Sequence, residues 1–357
     1  MLNFSAIWIF LLAIRESLNI FGIPTFLLSV GIFIVQFFQL FQLFLIMQKE
    51  NWHFTYYHIL LFILILLCVY NIETLSTVNI LLSVILLKRS NIKNVTLILV
   101  CAVFIEFFIY FAGFGLGILT DISKSYAKGV THDLGFGNSN TASLNFTMLM
   151  LIFVMFIMQK SRIKFPAYIL LILNYYIYKL TLGRTYFYCV NMLFFLLFSF
   201  SFKRNYVFER KAIVFLPIVL FIGTFVGIFF FNKDIVLNSI FTGRFALNYE
   251  TVKDFSIVDY ILGHSSPDGA MDSTYLGLLL KGGVFSVFMF LFITTKGLFC
   301  MSLKSFKIFG PFIFVMLVAC FTETILPLFY PITILFYKIL TDQYEFKYVQ
   351  IKYLKKF

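Results

Sequence analysis

The sequence predicts an all-α polytopic membrane protein of about twelve transmembrane helices with two long extracytoplasmic loops. Three observations predict it. Hydrophobic residues make up 61% of the 357 and charged residues only 12%, with a mean hydropathy of +0.96, so water is not the solvent for most of the chain. Apolar stretches of roughly 20 residues recur along the whole length, each long enough for a hydrocarbon core. The charges gather in the breaks between those stretches, as they do in a chain oriented across a bilayer. Residues 1–357 therefore read as a single membrane domain.

Taken in order, the apolar runs place spans near 4–20, 23–46, 54–71, 73–87, 94–113 and 140–158, and then near 165–182, 184–202, 212–231, 275–299, 308–326 and 328–340. The first, fourth and twelfth are the weakest. Arg15 and Glu16 fall in the first, and the other two are short for a hydrocarbon core of roughly 30 Å. The run Phe4 to Ile14 is followed by Arg15 and Glu16 without a small-residue cleavage site, so it reads as a retained span and not as a removed signal.

Orientation follows from the charges. With both termini in the cytoplasm, 19 of the 28 basic residues fall inside and nine outside, while 12 of the 16 acidic residues fall outside or toward the outer ends of spans. Both counts suit one topology, the basic one carrying the weight. The two long outer loops then run from about 114 to 139 and from about 232 to 274, and long connections of this kind usually carry binding elements or lids.

Several function classes are disfavoured. A net charge of +12 in a soluble protein would raise nucleic acid as a partner, but here it is the inside bias of a membrane chain. All five cysteines lie in apolar runs without a CxxC pair, and four histidines form no cluster at metal-ligand spacing. No Walker glycine loop or paired carboxylates stand in the short cytoplasmic loops, so ATP or a nucleotide sugar has no visible site there. No metal or cofactor is expected.

Two arginines stand out among the outer basic residues. Arg184 follows Gly183 at the end of an apolar run in LTLGRTYFY, where a guanidinium is costly unless it meets water or an anion. Arg244 lies among aromatic and apolar residues in FTGRFALNYE. Two guanidinium forks suit a pyrophosphate, since each offers paired hydrogen bonds to anionic oxygens. The plainer alternative has Arg184 snorkelling to headgroups and Arg244 pairing with Glu250 or Asp254.

The segment GHSSPDGAMDSTYLGLLLKGG, from Gly263 to Gly283, is a turn-rich loop entering a membrane helix. Asp272 there reads as a helix cap or as a general base for a hydroxyl, with Tyr275 on the same face. His264 either shuttles a proton or bonds to the loop backbone. In the other long loop His132 and Asp133 precede LGFGNSNTAS, where Asn138 and Asn140 shape a turn or bind sugar hydroxyls.

Together HDLGFGNSNTAS, LTLGRTYF and GHSSPDGAMDSTYLGLLLKGGVFS, in this order and all on the outer side, resemble the O-antigen ligase and polymerase family. The resemblance covers roughly residues 130 to 300. It implies an enzyme that transfers a glycan from an undecaprenyl pyrophosphate carrier to an acceptor hydroxyl, for capsule, exopolysaccharide or O-antigen, alongside other polysaccharide assembly proteins. Arg184 and Arg244 match the arginines thought to hold the pyrophosphate. The family's lipopolysaccharide ligases carry a histidine in the segment matching Asp272, so an aspartate there looks more like the repeat-unit polymerases. The competing readings are a flippase for the same lipid-linked oligosaccharide, a ligase, and a sensor or scaffold without chemistry. A carrier should place broken helices and charges near the midplane in paired halves, whereas polar residues here concentrate in the two outer loops.

Overall fold

A computed structural model describes residues 4–20, 25–49, 56–70, 75–88, 90–126, 129–160, 165–202, 207–234, 236, 243–264, 273–323, 325 and 331–354. Asp272 lies outside the described residues, as do the basic loop residues Arg89, Lys128, Arg162, Lys164, Lys203 and Arg204. Among the described residues the regular structure is helical apart from one short hairpin. In lipid every peptide group needs a partner within the protein, and a helix supplies one from its own segment.

Among the described residues each of the twelve apolar runs holds a helix: α1 (Phe4–Ile20), α2 (Phe26–Lys49), α3 (Tyr56–Tyr70), α4 (Leu75–Leu87), α5 (Ile92–Gly115), α6 (Ser139–Lys160), α7 (Phe165–Thr181), α8 (Arg184–Phe202), α9 (Val207–Phe230), α12 (Thr274–Cys300), α13 (Leu303–Thr322) and α14 (Pro331–Leu354). Between α5 and α6 stand β1 (Ser123–Tyr126) and β2 (Gly129–His132), an antiparallel hairpin with Ser123 opposite His132. Between α9 and α12 lie α10 (Arg244–Val252) and α11 (Ile257–Leu262). Among the described residues six segments are long and apolar enough to cross a bilayer: Phe26–Ile46, Ile92–Gly115, Ser139–Gln159, Glu209–Phe230, Thr274–Cys300 and Leu303–Thr322. The chain is thus a helical membrane protein. Among the described residues α3 covers 15 positions and α4 covers 13.

Two compact units share the chain. The first comprises Met1–Lys49 and Arg89–Phe202, the second Glu50–Lys88 and Lys203–Phe357. In the first unit α1 packs on α2 and α5, and α6 lies against α5, α7 and α8. The Asn91 side chain caps α5 by accepting from Lys93 N at 3.0 Å, satisfying a helix-start amide. Tyr110 stacks on Phe136 with centroids 4.0 Å apart, and Phe107 meets Phe146 at 4.7 Å, so an aromatic cluster ties α5 to the start of α6.

In the second unit α12 is the hub, packing on α3, α9, α11, α13 and α14. Its first seven residues, Thr274–Leu280, are all buried. It is broken at Gly283, where φ is 66° and ψ −175°. Only glycine takes that conformation without strain, and a Cβ there would stand 2.2 Å from the carbonyl oxygen of Ile261. The end of α11 therefore docks into the break, and His264 N donates to the carbonyl of Leu280 at 2.6 Å. Short α4 is buried on most sides by α3 and α14. Lys338, fully buried on α14, pairs with Asp342 and donates to the carbonyl of Lys88 at 3.3 Å.

Candidate functional site

In the second unit the site begins at Gly243, whose φ of 78° turns the chain into α10 at a conformation glycine adopts freely. Arg244 is the first residue of that helix. The ring of Phe245 fills the notch left by Gly227, where a Cβ would meet it at 2.3 Å, and this clamps α10 onto α9. Nη2 of Arg244 donates to Oε1 of Glu323 at 2.7 Å, with 18% and 12% of the two side chains exposed. Such a bond is charge-assisted and short, and strong for that reason.

Glu323 is the C-cap of α13, and its backbone reaches a different partner. Its carbonyl accepts from Thr274 N at 3.0 Å and from Thr274 Oγ1 at 2.7 Å, while that hydroxyl accepts from Ile325 N at 2.8 Å. Residue 323 thus joins Arg244 to the first turn of α12, the turn that follows Asp272 in the chain. Tyr275 is fully buried, its hydroxyl donating to the carbonyl of Leu317 at 3.4 Å and its ring edge-on to Phe290 at 5.6 Å. That geometry packs Tyr275 into the start of the helix.

The ring of His264 stacks on Phe255 at 5.0 Å. Beside it α11 opens with a capping box in which Ser256 and Asp259 exchange side-chain and backbone bonds, and the hydroxyl and amide of Ser256 hold the Asp259 carboxyl below its usual range. Burial followed by the charge of Asp259 pushes the Tyr260 phenol up. Glu250 pairs with Lys253 three residues on. The partner shown for Arg244 is Glu323, a residue 79 positions away, and not the nearby Glu250 or Asp254.

In the first unit Arg184 opens α8 and is exposed. The turn before it is tight: Leu182 has a φ of 54°, and Thr181 Oγ1 donates back to the carbonyl of Ile177 at 2.8 Å while sharing a 2.5 Å bond with Ser143 Oγ of α6. Gly183 sits so close to α6 that a Cβ would lie 2.1 Å from Ser143 Oγ. Asn174 Nδ2 donates to the carbonyl of Phe187 at 3.2 Å, so α7 and α8 form a stapled pair.

The hairpin packs on α7 through β2. His132 Nδ1 lies 2.5 Å from Asp121 Oδ2, and Asp121 Oδ1 accepts from Leu134 N at 2.9 Å. Burial pushes the Asp121 carboxyl up, but the bonds from His132 and Leu134 outweigh it and hold the group below the usual carboxylate range. Asp133 accepts from Ile122 N at 2.9 Å and Gly135 N at 3.0 Å, so both acids fasten the loop. Asn138 accepts from Asn140 N at 2.8 Å, which leaves Asn140 exposed at the start of α6. A small cleft opens between hairpin and helix, lined by Ile122, Lys124, Thr131, Asp133, Gly137, Asn138 and Ser139. Most of the side chains lining it are polar.

Sequence reasoning missed Glu323, Thr274 and Asp121. Glu323 had a signal, an acid closing the apolar run ahead of TILP, since a carboxylate at that depth needs a partner. Among the described residues no three His, Cys, Asp or Glu side chains gather as a metal site. Comparison of the chain with protein-family profiles, with curated proteins and with solved structures returns no match.

Proposed function

We propose that this protein is a membrane glycosyltransferase that polymerises undecaprenyl-pyrophosphate-linked oligosaccharide repeat units on the outer face of the cytoplasmic membrane. The topology belonging to this reading has twelve spans, both termini in the cytoplasm and the segments 114–139 and 232–274 outside. The single observation that supports it most is the tie at residue 323. Arg244 and the start of α12, singled out from sequence for separate reasons, meet on one residue of one unit.

In the mechanism a hydroxyl of the acceptor repeat unit attacks the anomeric carbon of the lipid-linked donor. The new C–O bond forms as the bond to the diphosphate breaks, and undecaprenyl diphosphate leaves. Arg244 balances charge growing on that leaving group, and Arg184 is assigned the same anion on its sequence pattern. Asp272 takes the hydroxyl proton. Asn140 and His132, beside the polar cleft, and His264 in the second unit are assigned to sugar hydroxyls. Removing one such oriented donor costs roughly a hundredfold or more in rate.

Purified protein in vesicles, fed lipid-linked repeat units, tests the reading. The double variant Arg184→Ala with Arg244→Ala is expected to leave single units unjoined, and full-length polymer from it overturns the assignment. In a cysteine-free background Ser125→Cys should react with an impermeant maleimide in intact cells and Ser302→Cys only after permeabilisation. The reverse pattern would invert the topology. A flippase is separated by deleting the gene: loss of a polymerase leaves single repeat units outside, loss of a flippase strands them inside.

A further inference from the structure

We propose that Glu323 is the positioning residue of Arg244, its carboxylate fixing the direction of the guanidinium fork at the start of α10. This rests on the diphosphate reading above and adds to it a residue that neither the apolar pattern nor the motifs named.

The argument is that the two halves of residue 323 do separate jobs. Its main chain caps α13 through the bond of its amide to Ala319 O at 2.9 Å and receives Thr274 through its carbonyl at 3.0 Å and 2.7 Å. None of these bonds uses the carboxylate. The carboxylate is bonded to Arg244 at 2.7 Å, and the two side chains are largely enclosed. A lone cation there would be costly in a membrane protein, and pairing lowers that cost.

The bond occupies one of the five donors of a guanidinium, so a charge anchored on one edge of the plane fixes where its other edges point. A fork already fixed loses less freedom when an anion arrives, and the gain appears as donor affinity. Clamping α10 to α9 through Phe245 and Gly227 positions the backbone of Arg244. Glu323 then positions its tip.

Because substitution at 323 leaves the main-chain bonds in place, the side chain can be tested alone. Steady-state polymerisation is measured for Glu323→Ala, the near-isosteric Glu323→Gln, Arg244→Ala and the double variant, with melting temperature in detergent as a control. Glu323→Ala is expected to raise KM for the lipid-linked donor about tenfold to a hundredfold, the range a charge-assisted hydrogen bond carries, and Glu323→Gln by less. The double variant should be no worse than Arg244→Ala, since a residue acting through another has nothing left to act on.

Unchanged donor KM in Glu323→Ala, or losses that add in the double variant, would overturn the positioning role. Should Glu323→Ala fail to fold, the same comparison with Glu323→Gln decides. Full activity of Arg244→Ala would instead sink the diphosphate reading itself, which keeps the two failures apart.

Discussion

Gly183 shows what a single missing side chain does. Ser143 of α6 occupies the space a Cβ would need, 2.1 Å from its Oγ and 2.6 Å from its Cβ, and the same serine shares a bond with Thr181. Backbone proximity at this turn sets how Arg184 enters α8. Gly183→Ala should therefore destabilise the protein by about 1–3 kcal/mol, as overpacking does, read as a lower melting temperature in detergent. Adding Ser143→Gly should recover part of the loss, and no recovery would refute the contact as the cause. A second residue-scale expectation concerns acid. Asp121 has its folded pKa held below the unfolded value of about 3.9, so its contribution is present above about pH 4 and is lost as pH falls through the folded value. Asp121→Asn should remove that part of the slope of melting temperature against pH below about 4, and an unchanged acid limb would count against the hairpin bonds.

Helix α5 carries the clearest element-scale pattern. Leu97, Cys101, Phe104, Phe108 and Phe111 are exposed along it, while Leu99, Val103, Phe107 and Tyr110 are buried. Spacings of three and four put the exposed set on one stripe, and an apolar stripe left open on a spanning helix faces acyl chains. With Trp8 and Trp52 replaced by Phe, Phe108→Trp should be quenched strongly by brominated lipid and Phe107→Trp weakly. Equal quenching would contradict the register. Elements of this kind were legible in the sequence, because length and hydropathy are one-dimensional signals: the predicted run 94–113 became Ile92–Gly115, and 184–202 became Arg184–Phe202. The hairpin was not, since SKSY and GVTH show little apolar alternation. Nor was the partner of Arg244 legible. Glu250 and Asp254 lie close in the chain, whereas Glu323 reaches Arg244 only because α13 ends where α10 begins, a fact of packing. The burial of Tyr275 was not legible either, since helical periodicity gives the face a residue lies on, not how deeply the residue is buried.

At the scale of the whole molecule, the notable fact is that chain order and compact units do not coincide. The α3–α4 pair, within Glu50–Lys88, belongs with Lys203–Phe357, and no break in composition announced it. Val78, Ile80, Leu81, Leu82, Val84, Leu86 and Leu87 are buried, and α4 does so against α3 and α14. A fragment of residues 1–202 lacks α14 and should expose α4, giving rapid proteolysis within residues 75–88. Co-expression with residues 203–357 should restore protection, and a stable, protected 1–202 fragment would count against the division.

The same interleaving sets a timetable for synthesis. From Leu87 to Pro331, where α14 begins, the ribosome has roughly 240 more residues to add, which at about 5–20 residues per second takes on the order of 10–50 s. For that interval α4 has α3 beside it but lacks α14, and the carbonyl of Lys88 waits for Lys338. Nascent chains of this protein therefore need shelter beside the insertion machinery, and slowing translation after residue 88 should lengthen the vulnerable period in proportion.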